Sequence, residues 1–261
     1  MITSVHNPKI QWVRQLQAQA AFRRESQAFV VEGVRLCEEA LQAGWHPQIV
    51  LYSEAVSTRG QDLIERCLEA GLNVEQVRPE VLDSAAETRT PQGILAVLPV
   101  QLLPVPSSLD FGLVLDGLRD PGNLGTILRT AWAAGVQAVW LTPGGVDPFS
   151  PKVVRSAMGA HFHLPIHNQN WEDIGIRFRT ESGQAIVRVY LSDPGAGIPY
   201  TQADFRSPLA LVVGGEAEGA GQKAQAIATE RVHIPMPGGA ESLNAAIAAA
   251  ILMFEVVKQR Q

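Results

Sequence analysis

Cysteine is scarce: the 261-residue chain has only Cys37 and Cys67, thirty positions apart and outside any C-x-x-C. Neither a disulfide-stapled secreted fold nor a zinc site is therefore indicated. A reducing, cytoplasmic setting is the expectation. Long hydrophobic runs are also lacking. The longest, Ala245 to Phe254, is half of the ~20 residues a membrane-spanning helix needs, and the N-terminus has no signal-peptide pattern. A membrane role is not expected. Positive charge is in short supply as well, since the formal net charge is -5. That balance argues against a protein that coats nucleic acid generally, because such binding needs summed positive charge. No G-x-G-x-x-G occurs, and Gly117 to Gly122 has P-loop spacing but runs on into Asn123 and Leu124 instead of Lys and Ser/Thr. Dinucleotide and P-loop nucleotide sites drop out. One last absence is local: residues 1–24 contain no Asp or Glu, yet carry Lys9, Arg14, Arg23, Arg24 and His6. This run is either a solvated helix face or a surface for RNA phosphates.

With 46% hydrophobic and 18% charged residues, the chain reads as globular, and its length suits two domains. The stretch LPVQLLPVPSS, 98–108, sets Pro99, Pro104 and Pro106 close together and reads as a linker. Before it, FVVEGVRLCEEALQAG predicts a strand and then a helix, and PQIVLYS, LNVEQV and GILAVLPV predict strands around a further helix, GQDLIERCLEAG. After it come FGLVLDGL, QAVWLT, HFHLPI, QAIVRVYL, LALVVGG and RVHIPM, short apolar strands with helices between most of them. Such alternation predicts an α/β fold with a parallel sheet buried on both faces. Ligands of these sheets bind beyond the carboxyl ends of the strands, so the loops there are the candidates for function.

Four loops qualify. In 117–135, Asn123 stands where it could cap a helix that carries Arg129. In SPKVVRSAMGAHFHLPI, Lys152 and Arg155 share one helix face and suit phosphates. His161 and His163, expected to alternate along the following strand, lack metal-spaced partners, and no metal is assigned. In 211–221, Gly214 and Gly215 would let main-chain amides approach a ligand, with Glu216 just beyond. In IPMPGGAESLN, Ser242 and Asn244 precede an apolar helix whose buried face is expected to be Leu243, Ile247, Ile251 and Phe254. Each loop alone is compatible with an ordinary turn and surface residues.

Taken in order, N-x-G-x-x-x-R at Asn123 to Arg129, G-x-E-x-x-G at Gly214 to Gly219, and I-P-M followed by S-L-N at Ile234 to Asn244 resemble the three motifs of the SpoU (TrmH) family of RNA ribose 2′-O-methyltransferases. FVVEGVRLCEEAL and RTPQGILAV are similar to that family's substrate-binding domain. The resemblance implies residues 1–100 as an RNA substrate-binding domain with a basic helix over 1–24, a linker at 101–108, and a SPOUT methyltransferase domain over 109–261 with a deep trefoil knot. It further implies a homodimer, S-adenosylmethionine as cofactor, and ribosomal RNA as the substrate. Transfer RNA, or a silent RNA-binding protein of this fold, is the alternative.

Residue by residue, the resemblance implies cofactor contacts at Gly214, Gly215, Ile234, Met236 and Leu243. Arg129 matches the family's catalytic Arg, and Asn123, Glu216, Ser242 and Asn244 match its other polar motif positions. RNA contacts are expected at Lys9, Arg14, Arg23, Arg24, Lys152 and Arg155. Because a guanidinium resists deprotonation, Arg129 is read as an orienter and charge stabiliser, with an RNA phosphate as the proton acceptor.

Overall fold

A computed structural model describes residues 1–179, 186–215 and 219–261. Glu216 lies outside them. The chain divides into two compact units, Met1–Gln101 with Phe149–Phe162, and Leu102–Pro148 with His163–Gln261.

The first unit opens with α1 (Pro8–Ala18) and α2 (Ala20–Ser26). The basic stretch 1–24 is therefore two helices, not one, broken where Gln19 turns extended. Asn7 caps α1, its side chain accepting from the Lys9 amide at 2.9 Å. β1 (Ala28–Glu32) leads into α3 (Val34–Gln42), followed by β2 (Ile49–Tyr52), α4 (Thr58–Glu69), β3 (Val74–Gln76), α5 (Pro79–Asp83) and β4 (Ile94–Pro99). Gly33, which precedes α3, has φ +95° and no side chain to cap the helix. Gln92 does it from a distance, its Oε1 accepting from the Val34 amide at 3.0 Å. Among the described residues the sheet runs β1-β4-β2-β3, with β4 antiparallel to both neighbours. Ile10, Val13 and Leu16 of α1 fill its core with Val30, Leu51 and Leu95. Cys37 and Cys67 are buried here as free thiols, and desolvation pushes both up.

Residues 149–162 belong to this unit, with α7 (Pro151–Ala157) packed on β1. The expected HFHLPI strand is a correction. Ala160–Phe162 form a 3-10 turn, entered through Met158 at φ +50° and Gly159 at φ +98°. His161 is buried there among Phe29 and Phe149, so it does not alternate with His163 along a strand. Only Ile166–Asn168 continue as a strand, β7.

In the second unit, β5 (Phe111–Asp116) leads to α6 (Pro121–Ala133), and β6 (Ala138–Leu141) precedes β7. Then follow α8 (Trp171–Arg177), β8 (Arg188–Ser192), β9 (Ile198–Pro199), β10 (Leu209–Gly214), α9 (Gln222–Ile227), β11 (Glu230–His233) and α10 (Ala245–Gln259). The described strands lie in the order β7-β6-β5-β10-β8-β11-β9, all parallel. β5 and β10 carry no charge before their last residues and are buried along almost their whole length, as a sheet covered on both faces requires.

α10 packs on α6 and β10. Its buried face is Ala245, Ala246, Ala249, Leu252, Met253 and Val256, which corrects the expectation. Ile247 and Phe254 are 52% and 48% exposed. The helix is apolar nearly all round, so periodicity could not choose its inward face. The alanine side lets α10 approach its neighbours closely. Arg260 anchors its far end, donating to Asp110 Oδ2 at 2.6 Å and to the Phe205 carbonyl at 2.9 Å. No helix among the described residues is long and apolar enough to cross a membrane.

Candidate active site

The carboxyl ends of β8, β10 and β11 converge with the N-terminus of α10 around a pocket of about 430 Å³. That volume suits a small-molecule cofactor. It gathers Gly214, Gly215, Ile234, Met236, Ser242, Leu243 and Asn244, so residues separated by up to thirty positions in sequence meet on one wall. Val213, Gly219, Ala245 and Ala248 complete the apolar lining. Ser192 and Pro194 line it too. Nothing in their spacing marks them. They arrive because β8 lies beside β10 in the sheet, an order that adjacent residues do not encode.

The wall is main chain pressed on main chain. A Cβ on Gly214 would lie 2.4 Å from the Ala220 nitrogen, and one on Gly215 would lie 2.8 Å from the Gly117 carbonyl oxygen. Any side chain there would force the backbone apart. Glycine serves here for close approach. The Gly219 amide donates back to the Gly215 carbonyl at 3.2 Å, which draws the two ends of that loop together.

Asn244 explains why a poor helix former stands at the head of α10. Its Oδ1 accepts from the Ala246 and Ile247 amides at 2.9 and 3.3 Å, making it the N-cap. Its Nδ2 donates to Asn123 Oδ1 at 3.0 Å. One side chain thus starts the helix and joins the first motif to the third. Asn123 is not a cap, which corrects the sequence reading. Asp120 caps α6, its carboxylate accepting from the Asn123 amide at 2.7 Å, and leaves the Asn123 side chain for Asn244. Ser242 borders the pocket as an exposed hydroxyl.

Arg129 is exposed on α6 and is not among the pocket-lining residues. Six positions beyond Asn123, it is turned ~120° away and ~9 Å farther along the helix. Neither Arg129 nor Asn123 is part of the described lining, and Asn123 is joined to it through Asn244.

The basic residues fare unevenly. Arg23 is a correction: it is only 5% exposed, and its guanidinium donates to the Leu16 carbonyl at 2.6 Å and the Gln17 carbonyl at 3.1 Å, tying α2 to the end of α1. It has no face for a phosphate. Lys9 pairs with Glu75 and Arg155 with Glu87. Arg14, Arg24 and Lys152 are exposed.

Known proteins share this arrangement. Residues 110–254 match the SpoU rRNA methylase family, and residues 7–96 match an MRM3-like substrate binding domain. The 23S rRNA (guanosine(2553)-2′-O)-methyltransferase RlmP of Bacillus subtilis is 34% identical over 98% of each chain. An AdoMet-bound rRNA methyltransferase from Sinorhizobium meliloti superimposes with a TM-score of 0.87 at 32% identity, covering 98% of this chain and 97% of that one. The SpoU methyltransferase AviRb from Streptomyces viridochromogenes, in complex with AdoMet, gives 0.86 at 29% identity over 97% and 99%. With a family match over more than half of its length, and a glycine-walled pocket lined by the second and third motifs and joined to the first through Asn123 and Asn244, the chain belongs to the SpoU rRNA methylase family and is an S-adenosylmethionine-dependent RNA ribose 2′-O-methyltransferase.

Proposed function

We propose that the substrate is ribosomal RNA, and that the enzyme acts in the cytoplasm as a homodimer whose first unit holds the RNA. The observation that carries the chemistry is the polar rim of the pocket, where Ser242 and Asn244, the latter bonded to Asn123, border a wall of glycine backbone and apolar side chains. The relatives named for 23S rRNA support the choice of RNA. A trefoil knot through the later loops belongs to the same reading.

When bound, S-adenosylmethionine supplies an electrophilic sulfonium methyl. The residues of the chain have the remaining work. Gly214, Gly215, Ile234, Met236 and Leu243 hold the cofactor through main chain and apolar contact. Ser242 and the Asn123–Asn244 amides orient the ribose hydroxyl in line, which supplies much of a rate enhancement. Glu216 keeps its place in this group by its motif position. Arg129 steadies developing charge, and the hydroxyl proton passes to an RNA phosphate. Because Arg129 does not line its own pocket, it serves the pocket of the second copy. The exposed Ile247 and Phe254 of α10, which packs on the helix that carries Arg129, support an interface there. Arg14, Arg24 and Lys152 contact phosphates directly, while Lys9 and Arg155 exchange their carboxylate partners for them.

The test is incubation with methyl-labelled S-adenosylmethionine and separated ribosomal and transfer RNA, followed by mapping of the modified nucleotide. Label on a ribose of ribosomal RNA is expected. Label confined to transfer RNA would overturn the substrate, and no transfer to any RNA would overturn the activity.

A further inference from the structure

Asp116 ends β5 in register with Gly214 of β10, and no motif includes it. Its carboxylate is fully engaged. Thr142 Oγ1 donates to Oδ1 at 2.8 Å, Trp171 Nε1 donates to Oδ1 at 3.0 Å, and the Gly221 amide donates to Oδ2 at 2.8 Å. Thr142 Oγ1 in turn accepts from the Gly117 amide at 2.9 Å. The Gly221 bond spans 105 positions of sequence and is made to the far end of the glycine segment. The segment's described residues, on either side of 216–218, are layered. Gly215 rests on Gly117, and Gly214 rests on Gly219 and Ala220, each too close for a side chain between them. Gly214, Gly215 and Gly219 are the layers that face the pocket.

We infer that Asp116 is a positioning residue for the cofactor: its carboxylate latches Gly221 and so holds the glycine wall at the spacing the cofactor requires. Main chain has no side chain to lock it in place, so a wall built of it needs an external anchor. A carboxylate suits this role, because a charged acceptor gives a main-chain amide a stronger hydrogen bond than a neutral one does. Trp171 and Thr142 fix the direction of the carboxylate, and the indole Nε1, which can only donate, rules out a neutral amide in its place. Asn at position 116 would have to turn its NH2 toward either the indole or the Gly221 amide, setting donor against donor.

The inference rests on this pocket taking S-adenosylmethionine, which titration of the unmodified enzyme with that cofactor tests separately. The latch is tested from both of its ends. Asp116→Ala removes the acceptor. Gly221→Pro removes the donor at a residue whose φ of -67° suits the proline ring, and its Cδ, standing where the amide hydrogen was, turns the carboxylate away. Each should raise the Kd and KM for S-adenosylmethionine about ten- to a hundredfold, the cost of a lost charged hydrogen bond. In each, kcat at saturating cofactor should stay within about threefold of the unmodified enzyme. The double variant should be no worse than the weaker single one, since both remove the same bond. Trp171→Phe, which leaves the Gly221 bond in place, should shift cofactor affinity less than either. Cofactor affinity unchanged in Gly221→Pro, additive effects in the double variant, or a fall in kcat with KM unchanged would each overturn the inference. Should Asp116→Ala fail to fold, Gly221→Pro against Trp171→Phe decides it.

Discussion

Asn244 combines two jobs whose costs differ. As the cap of α10 it is worth about 1 kcal/mol, the usual loss when such a residue becomes Ala. As the partner of Asn123 it orients a group at the pocket rim that is exposed in the free protein and would be covered once cofactor and RNA bind, and losing a polar partner in that covered state costs about 1 to 3 kcal/mol. Asn244→Ala should therefore slow methyl transfer about ten- to a hundredfold while lowering the unfolding free energy only modestly. Asn244→Asp, which keeps a capping oxygen but loses the Nδ2 donor, should recover the stability and not the rate. Ser242→Ala should slow the rate with no change in stability. Single-turnover rates beside urea unfolding separate these effects, and wild-type rates in Asn244→Ala and Ser242→Ala would leave only the cap. Ser242 and Asn244 are legible in sequence because they are polar residues where a helix turns apolar. Ser192, Pro194 and Asp116 are not, because each acquires its place only once the parallel sheet has set β8 and β5 on either side of β10.

Among the elements, α3 and α4 are clasped by one carboxylate. Glu38 on α3 accepts from Arg59 and, at 2.7 Å, from Arg66, both on α4. These hydrogen bonds hold the Glu38 carboxyl below the usual carboxylate value. A lowered folded-state value means the contribution to stability is present above the unfolded value and lost as pH falls through the folded one. Glu38→Gln should therefore lower the urea midpoint near pH 7, and the gap to the unmodified protein should close in acid, below the ordinary carboxylate range. A gap of equal size at both pH values would assign the effect to packing. α10 shows where helix reading reaches its limit. The element and its start follow from Asn244 and the apolar run, but two apolar stripes compete for the core. Close approach to α6 and β10 selects the alanine stripe and leaves Ile247 and Phe254 outside. If the exposed stripe of Ile247 and Phe254 is the dimer interface, Phe254→Glu should halve the mass seen by light scattering at micromolar concentration, and an unchanged dimer would place the interface elsewhere.

For the whole molecule, the decisive question is which copy supplies Arg129. A variant with Arg129→Ala and a variant with Asn244→Ala should each be strongly impaired alone. If the enzyme is the proposed dimer, co-refolding in equal amounts gives mixed dimers in which one pocket has its own Asn244 and the partner's Arg129. Random pairing then restores about a quarter of unmodified activity. Recovery no greater than the sum of the two variants measured alone would mean that Arg129 acts within its own chain. Arg129→Lys should retain part of the rate, since a point charge survives the loss of the planar fork. The proline-rich stretch is the sequence's own signal for a division near residue 100. The return of residues 149–162 to the first unit is not readable there, because that segment joins it through packing of α7 on β1, far from any linker signal.

The glycine wall also bears on descent. A pocket formed by main chain presents nearly the same atoms whatever side chains surround it, so substitutions elsewhere can accumulate without altering what it recognises. Its vulnerability is greatest where any side chain at all would collide, Gly214 and Gly215, and at the carboxylate of Asp116 that anchors the wall. Relatives that keep only about a third of their residues in common with this chain can therefore inherit the same cofactor while their RNA-facing surfaces diverge freely.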